Sequence, residues 1–266
     1  MAEIAVVTGA SSGLGREYVK LIDERGKKHP EDRVDEIWVI ARRKDRLEAL
    51  GDEVQTPLRP VPLDLTDPDA VSRLLAMFEE EKPDIRMLVN SAGFGRIGSY
   101  ADISQKDAGA MIDLNCRAPV LLCQAAVPYM SAGGRILNVC STAGFSPFQY
   151  LGIYAASKSF LYRYSRSLRV ELLPAHISVT AVCPYWVKDT EFIPSAKESE
   201  KSSEKPYIRG FPLAMKRTSV ASWSMADTYR RFAVSTPGPV CFLHRIFGKM
   251  IPGEIMMGIW EGIRRI

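Results

Sequence analysis

The strongest constraint on the fold is the spacing of the apolar runs. Ile4 to Thr8, Ile37 to Ile40, Leu58 to Leu63, Ile85 to Val89, Arg135 to Cys140 and Ile177 to Cys183 are short, rich in β-branched residues and apolar at most positions. A strand apolar on both sides has to be covered on both sides, which is the signature of a parallel sheet between helical layers. Helical patterns fill the intervals, over Leu14 to Glu24, Ala70 to Glu80, Ser104 to Met130 and Ile153 to Leu173, and a polar insertion spans Gly26 to Glu36. Strands alternating with helices predict an α/β, doubly wound parallel sheet. In such sheets ligands bind beyond the carboxyl ends of the strands.

No internal repeat or linker divides the 266 residues, so one domain over 1–266 is expected. Apolar residues make up 46% and charged residues 25%, the balance of an ordinary globular chain. The net charge of +4 is spread among acids rather than gathered in blocks, which speaks against a nucleic-acid partner and is compatible with a polyanionic cofactor. Cys116, Cys123, Cys140, Cys183 and Cys241 form no C-x-x-C pair and sit among apolar neighbours, so buried thiols are expected rather than disulfides or ligands. His29, His176 and His244 are far apart, and no metal site is expected. The opening MAEIAVVTGA lacks a basic segment followed by a long apolar one, so the expected location is cytoplasmic.

Thr8 to Gly15 reads TGASSGLG and admits two loops. Gly9 to Gly13 matches G-x-S-x-G, a turn that exposes the nucleophilic serine of a hydrolase, here Ser11. That elbow needs an oxyanion loop from an earlier strand, and only seven residues precede Thr8. The same letters form a glycine-rich turn for a pyrophosphate. Gly9 would permit the tight turn and Gly13 the approach to phosphate, while Gly15 lets the helix pack closely on the sheet. The helix N-terminus, from Leu14, would turn free amides toward the anion, with Ser11 and Ser12 adding hydroxyls.

The spacing G-x-x-x-G-x-G resembles the loop of the short-chain dehydrogenase/reductase family, and the resemblance extends over about Ile4 to Thr190. Tyr154-Ala155-Ala156-Ser157-Lys158 matches Y-x-x-x-K, and Ser141 lies thirteen residues before the tyrosine. Asn90-Ser91-Ala92-Gly93 is similar to N-N-A-G, and Asn115 matches the family's helix asparagine. Each match alone is weak; together and in this order they are specific. The resemblance implies a Rossmann fold, a nicotinamide cofactor, and hydride transfer between a ketone and a secondary alcohol. Asn90, Ala92 and Gly93 would contact the cofactor, and so would the Asp64-Leu65 pair beside the adenine. Asp64 is equally a good helix-start turn residue.

Tyr154 and Lys158, four apart, share a helix face. An ammonium nearby favours the phenolate and is expected to lower the Tyr154 pKa toward neutral. Tyr154 would pass a proton to the substrate oxygen, and Ser141 would hydrogen-bond that oxygen. Lys158 would also bind ribose, while Asn115 would hold a water joining Lys158 to solvent, as the resemblance implies. Counting about twenty residues past the glycine loop lands on the acids Asp35 and Glu36, which precede the second strand and so lie at its wrong end. Its carboxyl end reads Ala41-Arg42-Arg43, with no acid to repel a 2′-phosphate. Arg42 is the expected partner of that phosphate, making NADP(H) the expected cofactor.

Where the family usually reads P-G-x-V-x-T this chain has Pro184-Tyr185-Trp186-Val187-Lys188-Asp189-Thr190. Pro184 and Val187 are expected to meet the nicotinamide; Thr190 is displaced by one position. Tyr185 and Trp186 would line the substrate pocket or pack beneath a lid. Residues 191–220 are expected to form a substrate loop, with the charged stretch Ser195 to Lys205 as a lid or surface segment. Helical pattern is expected over Val220 to Phe232. No final strand is evident, and 233–266 form a tail rich in Met, Ile and Trp. The tail is too interrupted by charge for a membrane span; it would cover the pocket, meet a sister subunit or lie at an interface. Relatives with such tails act on steroids and acyl chains, so an apolar carbonyl or alcohol substrate is expected. Phe94, Phe145, Phe148, Tyr150 and Tyr185 would line its pocket. The resemblance also implies a homo-oligomer paired through the helices of Asn115 and Tyr154. A nucleotide-sensing, catalytically weak protein is the alternative.

Overall fold

The computed structural model describes residues 1–202 and 205–266. Seven strands form one parallel sheet: β1 (Glu3–Thr8), β2 (Glu36–Ala41), β3 (Leu58–Pro62), β4 (Asp84–Asn90), β5 (Arg135–Val139), β6 (Ser178–Val182) and a last strand over Val234–Ser235. Their spatial order is β3-β2-β1-β4-β5-β6 followed by the last strand. Each of the six apolar runs is a strand to within two residues at either end. The chain leaves β1 toward β2 and β3 on one side, then crosses back to β4 on the other. The topological switch point therefore falls between the carboxyl ends of β1 and β4, where doubly wound sheets bind ligands.

The period-two geometry of a strand sends alternate side chains to opposite faces. Ile4 and Val6 of β1 enter one layer with Trp38, Phe78, Leu88 and Ile136. Ala5 and Val7 enter the other with Tyr18, Val39, Val89 and Leu137. The first layer is closed by α3 (Ala70–Glu81), by a helical run over Gln105–Tyr129 and by α6 (Gly152–Glu171); the second by α1 (Gly13–Lys28), by α2 (Lys44–Ala49) and, near the last strand, by α8 (Arg217–Tyr229). The run Gln105–Tyr129 comprises α4 (Gln105–Ile112), a π-helical turn (Asp113–Arg117), α5 (Ala118–Ala126) and a closing 3₁₀ turn. It is apolar and long enough to cross a membrane, but half of its most apolar window is buried inside the protein, as in a core helix.

Three features depart from expectation. A final strand exists after all: Val234–Ser235 pairs with Ala181–Val182. Two residues give no apolar run to detect. The substrate loop holds a two-stranded ribbon of β7 (Val187–Lys188) and β8 (Met215–Lys216), and it contains α7 (Phe192–Ala196). Within Ser195 to Lys205, Ser203 and Glu204 lie outside the described residues; before them Ile97 N–H donates to Ala196 O and Ser199 Oγ to Ile97 O, so that part is tied to the body. The tail folds as two helices, α9 (Pro239–Met250) and α10 (Gly253–Ile263), packed over the substrate end. Trp260 stands edge-on to Phe148 at 5.1 Å and its Nε1 donates to Gln149 O.

Candidate active site

The carboxyl ends of β1, β2, β4, β5 and β6 border one cleft of about 650 Å³, within the range of small-molecule sites. At one end is the glycine turn. Gly9 and Gly13 have φ of +69° and +56°, conformations that penalise a side chain. A Cβ on Gly15 would lie 2.3 Å from Gly9 O, so this glycine lets α1 press against the turn. Ser12 precedes α1 with no side-chain hydrogen bond to it and the first turn carries no acid, so α1 itself brings no anion to its amide end. Gly9, Ser11, Ser12, Gly13 and Leu14 line the cleft, as do Ala92 and Gly93 across it. Thr8 Oγ1 joins the two sides by accepting the amides of Ser91 and Ala92 at 3.0 and 3.1 Å. A Cβ at Gly93 would meet Asn115 Oδ1 at 2.9 Å and Lys158 Nζ at 3.2 Å, so only glycine leaves this point open. Open glycine backbone, an uncapped helix N-terminus and arginines at the rim together fit a dinucleotide.

At the other end α6 presents Tyr154 and Lys158, and the loop after β5 presents Ser141; all three are buried and line the cleft. Ser141 Oγ donates to Pro184 O at 3.5 Å. Its Oγ also accepts the Ala143 amide at 3.1 Å, which fixes the rotamer. Lys158 Nζ donates to Val139 O at 2.8 Å and stands 5.8 Å from the centre of the Tyr154 ring. Burial lowers the lysine pKa and pushes the Tyr154 phenol up to about 12, with Ser141 opposing the rise. The expectation that Lys158 holds Tyr154 near neutral is therefore not met in the free protein. The ammonium is turned to the Val139 carbonyl, and burial outweighs it. Asn115 sits in the π-helical turn, fully buried, with Nδ2 donating to Phe94 O and Ser157 Oγ and Oδ1 accepting Phe94 N–H. A π-turn re-aims one residue inside a helix, a device common at functional sites.

Other expected residues divide. Pro184, Tyr185, Trp186, Val187, Asp64 and Leu65 line the cleft. Asp64 Oδ1 accepts the Thr66 amide and hydroxyl, so its turn role is realised. Asn90 does not reach the cleft. It is buried in the sheet, where Nδ2 donates to Asn138 Oδ1 at 2.9 Å, continuing to Ser165. Gly15 likewise lies behind the lining. Of the five aromatics, Phe94, Phe148 and Tyr185 face the cleft, whereas Phe145 packs on Tyr162 and Tyr150 stacks on Tyr207 at 4.4 Å. Arg42 lines the rim of the cleft, 3.9 Å from Asp64 Oδ2, with its side chain 76% exposed. Its neighbour Arg43 points inward, donating to Ser11 Oγ, Ser12 Oγ and Glu191. Sequence reasoning did not single out Arg43, Glu191, His244 and Trp260, and it set Thr190 aside; all line the cleft. The adjacent Arg42-Arg43 pair was a local signal for the first. His244 and Trp260 come from the tail, and nothing local marks them. Cys140 lines the cleft at the end of β5, Cys183 is buried in the same cluster after β6, and Cys241 Sγ accepts the Tyr185 amide at 3.2 Å; all five cysteines are free and buried.

The family model for short chain dehydrogenases matches residues 3–201. The chain belongs to that family. As a short-chain dehydrogenase it is an oxidoreductase, and its sheet order and cleft are those of the fold. An uncharacterized oxidoreductase of Staphylococcus epidermidis is 29% identical over 184 residues, which cover 68% of this chain and 76% of the relative. Among solved structures, the short-chain dehydrogenase from Sphingobium yanoikuyae in complex with NADPH has a TM-score of 0.77 at 26% identity, covering 96% of this chain and 95% of that one. The closed form of serine dehydrogenase complexed with NADP+ has a TM-score of 0.67 at 28% identity over 82% of this chain and 86% of the other.

Proposed function

We propose that this short-chain dehydrogenase uses NADP(H) to interconvert an apolar, lipid-like ketone and its secondary alcohol, with Ser141, Tyr154 and Lys158 as the reacting set. The observation that carries the reading is the meeting of these three buried polar groups at the end of a cleft whose far wall is Phe94, Phe148, Leu151, Trp186, Phe192 and Trp260. The cofactor, when bound, supplies or accepts the hydride. Gly9, Ser11 to Leu14 and Asp64, Leu65, Ala92 and Gly93 would hold it, with Pro184 and Val187 at the nicotinamide end. Ser141 orients the carbonyl oxygen by hydrogen bond. Tyr154 gives its proton to that oxygen, and Lys158 favours the phenolate left behind. A phenol with a pKa of about 12 is protonated at neutral pH and so has the proton that reduction of a carbonyl requires. Two structural relatives bound to NADPH and NADP+, and the arginines beyond β2, support the phosphorylated nucleotide.

The chain would act in the cytoplasm as a single 1–266 domain, with 191–220 and 233–266 closing the substrate end. It would self-associate through α4 and α6, where Ile112 and Phe160 are about half exposed. The test is a substrate screen that follows NADPH and NADH oxidation with steroid ketones, 3-oxoacyl thioesters and small polar ketones. Turnover of the bulky apolar ketones with NADPH is expected. Reduction of small polar ketones alone would overturn the substrate class, and equal use of NADH would overturn the cofactor. No turnover with any ketone despite tight nucleotide binding would favour the nucleotide-sensing alternative.

A further inference from the structure

The anion end of the cleft already contains an anion. Arg43 Nη2 donates to Glu191 Oε2 at 2.8 Å, and Arg46 Nη1 donates to Glu191 Oε1 at 2.5 Å, so one carboxylate is gripped by two guanidinium groups. The same Arg43 nitrogen lies 3.2 and 3.1 Å from Ser11 Oγ and Ser12 Oγ, the hydroxyls of the glycine turn. Arg43 and Glu191 both line the cleft, and these paired arginines hold the Glu191 carboxyl down to about 2, so it is ionised throughout the working range. Glu191 does not belong to this end of the fold by sequence. It precedes α7 in the substrate loop, some 145 residues from Arg46, and reaches the rim only because the loop folds back.

We propose that Glu191 is a displaceable stand-in for the cofactor's 2′-phosphate, and that it sets the margin by which the site prefers a phosphorylated nucleotide. This rests on the NADP(H) reading. Side chains of Arg43, Arg46 and Glu191 are 39%, 42% and 52% exposed, a setting in which ion pairs are weak. A phosphate ester brings close to two negative charges and three acceptor oxygens, and so displaces a single carboxylate from two guanidinium groups. Until displaced, the carboxylate subtracts from phosphate affinity twice, by occupying the arginines and by repelling the incoming charge. A nucleotide with a free 2′-hydroxyl has no such competitor.

Titration calorimetry at fixed salt with adenosine 2′,5′-bisphosphate and 5′-AMP, which differ by the one phosphate, tests this without turnover. Glu191→Gln is expected to tighten the bisphosphate about three- to tenfold, the effect of releasing two half-exposed ion pairs. AMP should stay within about twofold, and Arg43→Ala should abolish the preference for the bisphosphate. Glu191→Ala repeats the comparison with a side chain that cannot hydrogen-bond, and the same sign is expected. A wild-type preference for the bisphosphate that Glu191→Gln leaves unchanged overturns the displacement and leaves the NADP(H) reading standing. A preference that appears only in Glu191→Gln supports the displacement and overturns NADP(H) for the natural chain. No preference in either protein overturns both.

Discussion

At the scale of single residues the site is a contest between burial and proximity. Lys158 is four positions from Tyr154 on one helix, yet its ammonium is spent on the Val139 carbonyl and the phenol stays high. Tyr154→Phe is expected to lower kcat by about 10²- to 10⁴-fold, the usual share of one acid–base group. Nucleotide affinity should change less than twofold, as fluorescence titration would show. In the free protein, the difference in tyrosinate absorbance between wild type and Tyr154→Phe should stay flat up to about pH 10. The glycines divide just as sharply. Gly15→Ala puts a methyl 2.3 Å from a backbone oxygen and should destabilise by about 1–3 kcal/mol. Gly13→Ala finds open space, its nearest contact being Thr190 Cγ2 at 3.7 Å, and carries chiefly the left-handed penalty of about 1–2 kcal/mol. Denaturant unfolding compares them. Tyr154, Lys158 and Ser141 were legible because fixed spacing on one helix and one strand end translates into shared position. Arg42 and Arg43 both line the cleft, and the letters alone do not say that Arg43 is the one held against the glycine turn. Asn90 looked like a cofactor contact, but the strand's alternation turns it into the core toward Asn138.

At the scale of elements, the helices that build the phosphate end and the helices that build the substrate end differ in how they announce themselves. β1, the glycine turn and α1 are consecutive, and the pattern of each shows in its own segment. The substrate wall is assembled from α6, α7, α9 and α10, elements far apart in the chain, so its lining cannot be read locally. His244 shows what this assembly entails. It comes from α9 and stands edge-on to Phe148 and Phe145 at 5.5 and 6.0 Å. Burial lowers its pKa from 6.5 to about 4. As pH falls the unfolded chain takes up the proton first, so stability that is whole above pH 6.5 is lost between about 6.5 and 4. The upper limit of that loss is about 3 kcal/mol. Glu191 and Glu261, held near 2 by arginines, lose their contributions only at lower pH. Denaturant unfolding at stepped pH should show the slope above pH 4.5 in the wild type and a clear reduction in His244→Gln.

At the scale of the whole molecule, the sheet was the most legible part, because strands buried on both faces leave runs that nothing else produces. The two-residue seventh strand and the fold of the tail were not, since both depend on contacts with distant elements. Association through α4 and α6 predicts that Phe160→Glu lowers the mass found by sedimentation equilibrium at micromolar concentration while circular dichroism stays unchanged. An unaltered mass would place the contact elsewhere. The five buried thiols have a last consequence. Burial raises the pKa of Cys116, Cys123, Cys183 and Cys241, so these thiols are inert while the protein is closed. They are also distributed, with Cys123 inside the sheet's helical cover, Cys183 in the buried cluster at the end of β6 and Cys241 in the tail. An alkylating reagent therefore reaches each one only when its own surroundings open, and the order of modification, read by peptide mass, times the loosening of each region. Cys241 should react before Cys123, giving natural clocks for the tail and the core in one unmodified chain.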